Sequence, residues 1–170
     1  AGLPTEPLIQ KALEGESKGA DGARIIAAVR ALLDRLHAAR AALGRTAGDA
    51  ELVAGAAALY VGVTADRLER LRNTNSGAPL TLALVALADL VQRGVPPDTA
   101  ATAIEALARA RSGEAEYRML RALVDQDIRS GAAPAAAALE RARRITGSRS
   151  PVIPPDEPSG AESSASGGVR

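Results

Sequence analysis

The sequence predicts an all-α protein: a single helical bundle or short solenoid of about seven to eight helices arranged as hairpins, with an extended C-terminal tail. Three observations carry that expectation. Alanine dominates a chain that is 46% hydrophobic and only 1% aromatic, and alanine is the strongest helix former. With no Phe and no Trp, the core must be built from Leu, Val, Ile and Ala, whose small size lets helix backbones approach closely. Runs of β-branched and aromatic residues, the mark of strands, are missing.

Eight helical segments follow in order. The first runs from Thr5, an N-cap residue type, to about Lys18, with Pro7 inside its first turn. The second starts at the cap Asp21 and stops at Gly44; Ile25, Val29, Leu32, Leu36 and Leu43 form a helical stripe expected to face a core. A third runs from Asp49 to Val61, and Thr64 caps a short fourth ending near Arg72. The stretch "NTNSGAP", Asn73 to Pro79, is rich in turn formers and marks the clearest internal seam. Beyond it, Leu80 to Val91 is apolar around almost its whole circumference, too short to span a bilayer, and is expected at the centre of the fold.

Pro96-Pro97-Asp98 opens a sixth helix to about Arg111. The seventh, Glu114 to Ser130, aligns Tyr117, Leu120, Val124 and Ile128, and the eighth runs from Pro134 to Thr146-Gly147. Residues 1–147 therefore read as one α-helical domain. Residues 148–170 are rich in Ser, Gly and Pro and hold almost nothing to bury, so alone in water they are expected to be disordered.

One turn recurs. "SKGADGARI" at Gly19, "YVGVTADRL" at Gly62, "QRGVPPDTA" at Gly94 and "RSGAAPAAA" at Gly131 each join a helix end, a glycine, a small apolar residue, turn residues and a new helix. Glycine supplies the left-handed conformation that closes a helix. The copy at Gly62 also has the spacing of a helix-turn-helix DNA reader over residues 49–72, with Arg67, Arg70 and Arg72 as candidate contacts. Because the same device appears elsewhere, and Asp66 and Glu69 lie among those arginines, the structural hairpin is the leading reading and the DNA regulator the alternative.

Candidate chemistry is sparse. Lysine plus arginine number 21 against 20 acidic residues, a balance that implies no obligate polyanionic partner. Cysteine is absent, which excludes thiol chemistry and cysteinyl metal sites. His37, the single histidine, has Asp34 three residues before it, a poor metal set. Asp125 and Asp127, two apart on a helix, point to different sides and are expected to be solvated; Glu14 and Glu16 are placed the same way. No cofactor motif, phosphate loop or nucleophile elbow is found. The expectation is a non-catalytic interaction or scaffold protein without a cofactor.

Partner contacts are expected at the C-terminal end. Arg141, Arg143, Arg144 and Arg149 make the last helix and its exit basic, and Val152 and Ile153 among prolines 151, 154, 155 and 158 are the expected anchors of a pre-stiffened tail. The expected partner is a protein, in a larger complex such as a membrane-associated electron-transfer or photosynthetic assembly. Nucleic acid is not expected, nor a transmembrane segment. Small residues at Ala1-Gly2 resemble what signal peptidases leave at their cut, so an exported, periplasmic or other extracytoplasmic setting is the expectation.

Overall fold

The computed structural model describes residues 2–75 and 79–147, and these hold eight α-helices and no strand. They are α1 (Glu6–Ser17), α2 (Gly22–Leu43), α3 (Asp49–Tyr60), α4 (Ala65–Thr74), α5 (Leu80–Gln92), α6 (Pro97–Arg109), α7 (Glu114–Arg129) and α8 (Pro134–Gly147). The tail, with Arg149, Val152 and Ile153, lies outside the described residues.

Local chemistry sets the helix starts. The Asp21 carboxylate accepts the Arg24 N–H at 2.8 Å, and Thr64 Oγ1 accepts that of Arg67 at 3.4 Å. Glu51 and Glu116 reach back to the N–H groups of Gly48 and Gly113 at 3.0 and 2.9 Å, satisfying donors that a helix start leaves open. Thr5 holds the expected cap position, but its side chain makes no capping bond; its carbonyl alone accepts, from Leu8 and Ile9.

The recurring turn is present at all four expected places, and Gly19, Gly62, Gly94 and Gly131 all have positive φ. In each, the glycine N–H returns to the carbonyl three residues back and the next residue's N–H to the carbonyl five back, as with Gly62 to Leu59 and Val63 to Ala58. A fifth copy has no glycine. Arg111, at φ 52°, takes the left-handed position between α6 and α7, with Arg111 N–H on Ala108 and Ser112 N–H on Leu107.

These turns generate two layers. α2, α4, α6 and α8 pack successively on one another; α3, α5 and α7 do the same in the second layer, and α1 lies on α2. The contact repeats along the row: a Cβ at Gly62 would sit 3.6 Å from the Pro97 ring, and one at Gly94 3.8 Å from that of Pro134. Of the two architectures expected, the layering is that of a short solenoid.

Small residues make the layers close. Gly55 of α3 is buried, and a Cβ there would meet Leu43 Cδ1 at 2.9 Å and Ala39 Cβ at 3.2 Å. α5 is central as expected, burying Ala83, Leu84, Ala86, Leu87, Ala88 and Leu90. α6 is equally enclosed, with Ile104 and Leu107 fully buried and α4, α5, α7 and α8 around it. One expectation needs correction. The α2 stripe buries Leu36 and Leu43, but Ile25, Val29 and Leu32 are only half-buried. The first half of this 22-residue helix runs past the core, covered chiefly by α1, which has no buried residue.

Two substitutions test the turn. Gly62→Val has room for its side chain but must hold a β-branched residue at φ 97°, so it should destabilise by about 1–2 kcal/mol. Arg111→Gly relieves the same constraint and should stabilise by about 0.5–1 kcal/mol. Urea or thermal unfolding of the two variants checks both signs.

Candidate functional site

The charged residues singled out by sequence divide into those that hold helices together and those left at the surface. Arg67 belongs to the first group. Its Nε donates to Asp98 at 3.1 Å and its Nη1 to Glu105 at 3.2 Å, joining α4 to α6. Glu105 is a buried carboxylate, 5% exposed, whose other oxygen accepts from Arg109 at 2.9 Å. Arg72 donates to the Ala42 carbonyl of α2 at 2.9 Å and to Asn73. The DNA reading asked α4 to offer Arg67, Arg70 and Arg72 outward; among the three only Arg70 is exposed without an opposite charge among the described residues. Ala58, Leu68 and Leu71, on either side of the Gly62 turn, are core residues.

Asp125 and Asp127 are not a solvated pair. Asp125 meets Arg93 and Arg129, and Asp127 accepts both arms of Arg141, each at 2.6 Å. Asp89 of α5 accepts from Arg93 at 2.9 Å and from Arg121 at 2.8 Å. Together these ion pairs tie α5 to α7 and α7 to α8, and two-armed arginine pairs of this kind fix geometry as well as charge. Burial pushes the Asp89 carboxyl up, but the bonds from Arg121 and Arg93 outweigh it and hold the group below its usual range. Asp127 is held down chiefly by its bond from Arg141.

That pairing reshapes the basic C-terminal patch. Arg141 is committed to Asp127, and Arg144 pairs with Glu140 at 2.7 Å. Arg143 is exposed and meets no carboxylate among the described residues, and Arg144, though paired, is exposed as well. Elsewhere, Glu14 lies between Lys11 and Lys18, whose bonds pull it down to about 2. His37 is exposed beside Arg40, which ties Gly2 to the α2–α3 loop through carbonyls of Gly2, Arg45 and Ala47. Tyr117 is fully buried, its hydroxyl unpaired among the described residues, and burial pushes its phenol up to about 12. Among the described residues no three His, Cys, Asp or Glu side chains gather as a metal set.

A feature that sequence reasoning missed lies between α1, α2 and α3. A groove of about 270 Å³ is lined by Pro7, Leu32, Arg35, Val53, Ala57 and Tyr60, among others. Tyr60 is 71% exposed, and the Arg35 guanidinium stacks 4.9 Å from its ring centre. Arg35 Nε is buried without a hydrogen-bond partner among the described residues. The signal available was Tyr60 itself: a tyrosine at a helix end in a chain with two tyrosines and no other aromatic.

No helix among the described residues is long and apolar enough to cross a membrane. Comparison of the chain with protein-family models, with curated proteins and with solved structures finds no match.

Two outcomes follow from the ion pairs. Arg67→Ala leaves the buried Glu105 with Arg109 alone and should cost about 2 kcal/mol, whereas Arg70→Ala should lie within about 0.5 kcal/mol of wild type; chemical denaturation separates them. As for pH, Asp89 and Asp127 have folded values below the ordinary 3.8. Their contribution is complete above that value and is lost as pH falls through the lower folded values. Melting temperature should stay nearly flat from about pH 7 to 5 and drop below about pH 4, as followed by circular dichroism.

Proposed function

We propose that the protein is a non-catalytic α-helical interaction or scaffold subunit that binds a protein partner through the groove between α1, α2 and α3. The observation that carries this reading is the exposed Tyr60 ring stacked with Arg35 beside an apolar trough. Tyrosine and arginine are the residue types that most often dominate protein interfaces, because each couples a large apolar or planar surface with a polar end. Here the stack holds both side chains in place before a partner arrives, which reduces the rotamer entropy lost on binding.

The proposed partner belongs to a larger complex, and the proposed setting is extracytoplasmic; fractionation of cells making the full gene product checks the latter, and a wholly cytoplasmic product would remove it. The competing reading, a DNA-binding regulator built on residues 49–72, needs α4 to turn its arginines toward a duplex, whereas Arg67 and Arg72 already join α4 to α6 and α2.

Photo-crosslinking tests the proposal. A crosslinking residue at Ala57, exposed on the groove wall, should give one defined adduct in cells, whereas the same residue at Thr102, exposed on α6, should not. The adduct should fall at least tenfold with Tyr60→Ala. An adduct indifferent to Tyr60, or equal labelling at both positions, would rule out the groove as the binding surface.

A further inference from the structure

A second concavity lies at the C-terminal end of α2, apart from the Tyr60 groove. About 360 Å³ in volume, it is lined by Gly2 and Leu3 of the N-terminal segment, His37 and Arg40 of α2, and Arg45 of the α2–α3 loop. That volume falls in the range of small-molecule sites, roughly 300–1,000 Å³. Among the described residues no carboxylate lines it, although Asp34 and Asp49 are near in sequence. His37 and Arg40, three residues apart, share one face of α2.

Arg40 is fixed in place before any ligand arrives. Its Nη1 donates to the Arg45 and Ala47 carbonyls at 3.0 and 3.1 Å, and its Nη2 to that of Gly2 at 2.9 Å. These bonds take three of the five guanidinium donors and leave the Nε–H and one Nη2 hydrogen. The acceptors are neutral, so the full charge remains. The end of α2 supplies only about half a negative charge, and Arg72, donating to the Ala42 carbonyl at 2.9 Å, already answers it. The Ala47 N–H returns to the Gly44 carbonyl at 3.3 Å, which closes the loop and holds the Arg45 backbone at the rim. The Arg45 and His37 side chains are exposed, and neither meets a carboxylate among the described residues.

We infer that this cavity binds a small organic phosphate, a phosphomonoester. A phosphoryl group carries roughly −1.5 to −2 charge at neutral pH and three strong acceptor oxygens. Two guanidinium groups and one imidazole, presented from a helix and a loop, match that charge and that number of oxygens. A carboxylate, with one charge and two oxygens, would leave a donor group unmatched. Arginine is also the residue whose planar fork fits phosphate oxygens. A bare phosphate ion fills only a fraction of the volume; the rest, beside the half-buried Leu3, takes the organic group. The bonds already made by Arg40 reduce the cost of ordering the site, whereas Arg45 must be ordered by the ligand, so the affinity should be modest.

Titration of the full chain with inorganic phosphate and with glycerol 3-phosphate, followed by amide chemical shifts, tests the inference. At constant ionic strength set with chloride, both should saturably shift Leu3, Gly44 and Ala47. Inorganic phosphate should bind with a Kd of roughly 1–10 mM, and glycerol 3-phosphate at least as tightly. Arg40→Ala would also release Gly2 and the loop, so the informative variants are Arg45→Ala and His37→Ala. The first should weaken binding at least fivefold and the second about twofold, both with an unchanged melting temperature. Arg30→Ala, which removes an equal charge from α2 outside the cavity, should leave binding as it is. No saturation beyond chloride, binding indifferent to Arg45→Ala, or equal weakening by Arg30→Ala would overturn the inference. So would binding of inorganic phosphate with exclusion of glycerol 3-phosphate, which would mark an adventitious ion only.

Discussion

Everything in this molecule depends on one backbone conformation: a residue in the left-handed region that ends a helix and lets the next begin three residues later. Among the described residues, five connections are built on it. The paired bonds back into the preceding helix satisfy carbonyls that its end would otherwise leave open. They also fix connection length, because the cap of the next helix follows two residues after the left-handed one at Asp21, Thr64, Pro96 and Gly113 alike. With the length fixed, α2, α4, α6 and α8 fall in one layer and α3, α5 and α7 in the other, each meeting its next-but-one neighbour within its layer. Alanine and Gly55 then set how near the layers come, since larger side chains at Ala39 or Gly55 would hold α2 and α3 apart.

Charge reinforces the same geometry. The pairs Arg67–Glu105, Arg93–Asp125 and Arg121–Asp89 each span helices of one layer, α4 to α6 or α5 to α7, and Arg141–Asp127 joins the layers. None is deeply buried at both partners, so each contributes modestly, but breaking one strands a part-buried partner and costs more than the pair itself contributes. This allocation bears on function. Several charged groups that looked available in the sequence serve the fold, and the groups exposed at the surface include apolar and aromatic ones: Tyr60 beside Arg35 at the groove, and Ile9, Leu13 and Ile26 at the N-terminal end.

Helices, caps and glycine turns were legible in the sequence because each is decided within five or six residues. Tertiary balance was not. Arg111 occupies a glycine position without the glycine that would announce it, and the surrounding solenoid holds its φ at 52°. Asp125 and Arg93 are 32 residues apart, so no spacing rule joins them, and Asp125 read as solvated. The α2 stripe showed a face but not its cover, since periodicity is silent on whether a neighbouring helix extends that far. Arg141 read as a partner contact because its own helix is basic, while Asp127, one helix earlier, was already its counterpart. The groove was hidden for a similar reason: Pro7, Arg35 and Tyr60 come from three helices.

Amide hydrogen exchange at the turn residues measures the central claim most directly. Val63, Val95 and Ser112 are buried, and their N–H groups donate to Ala58, Leu90 and Leu107 at 3.0–3.1 Å. If five copies of one turn organise the layers, these three amides exchange as slowly as those of the core helices α5 and α6, with Ser112 no less protected for lacking a preceding glycine. Free exchange at all three, with the helices still protected, would mean that the turns are loose connectors and that the layered arrangement has another cause.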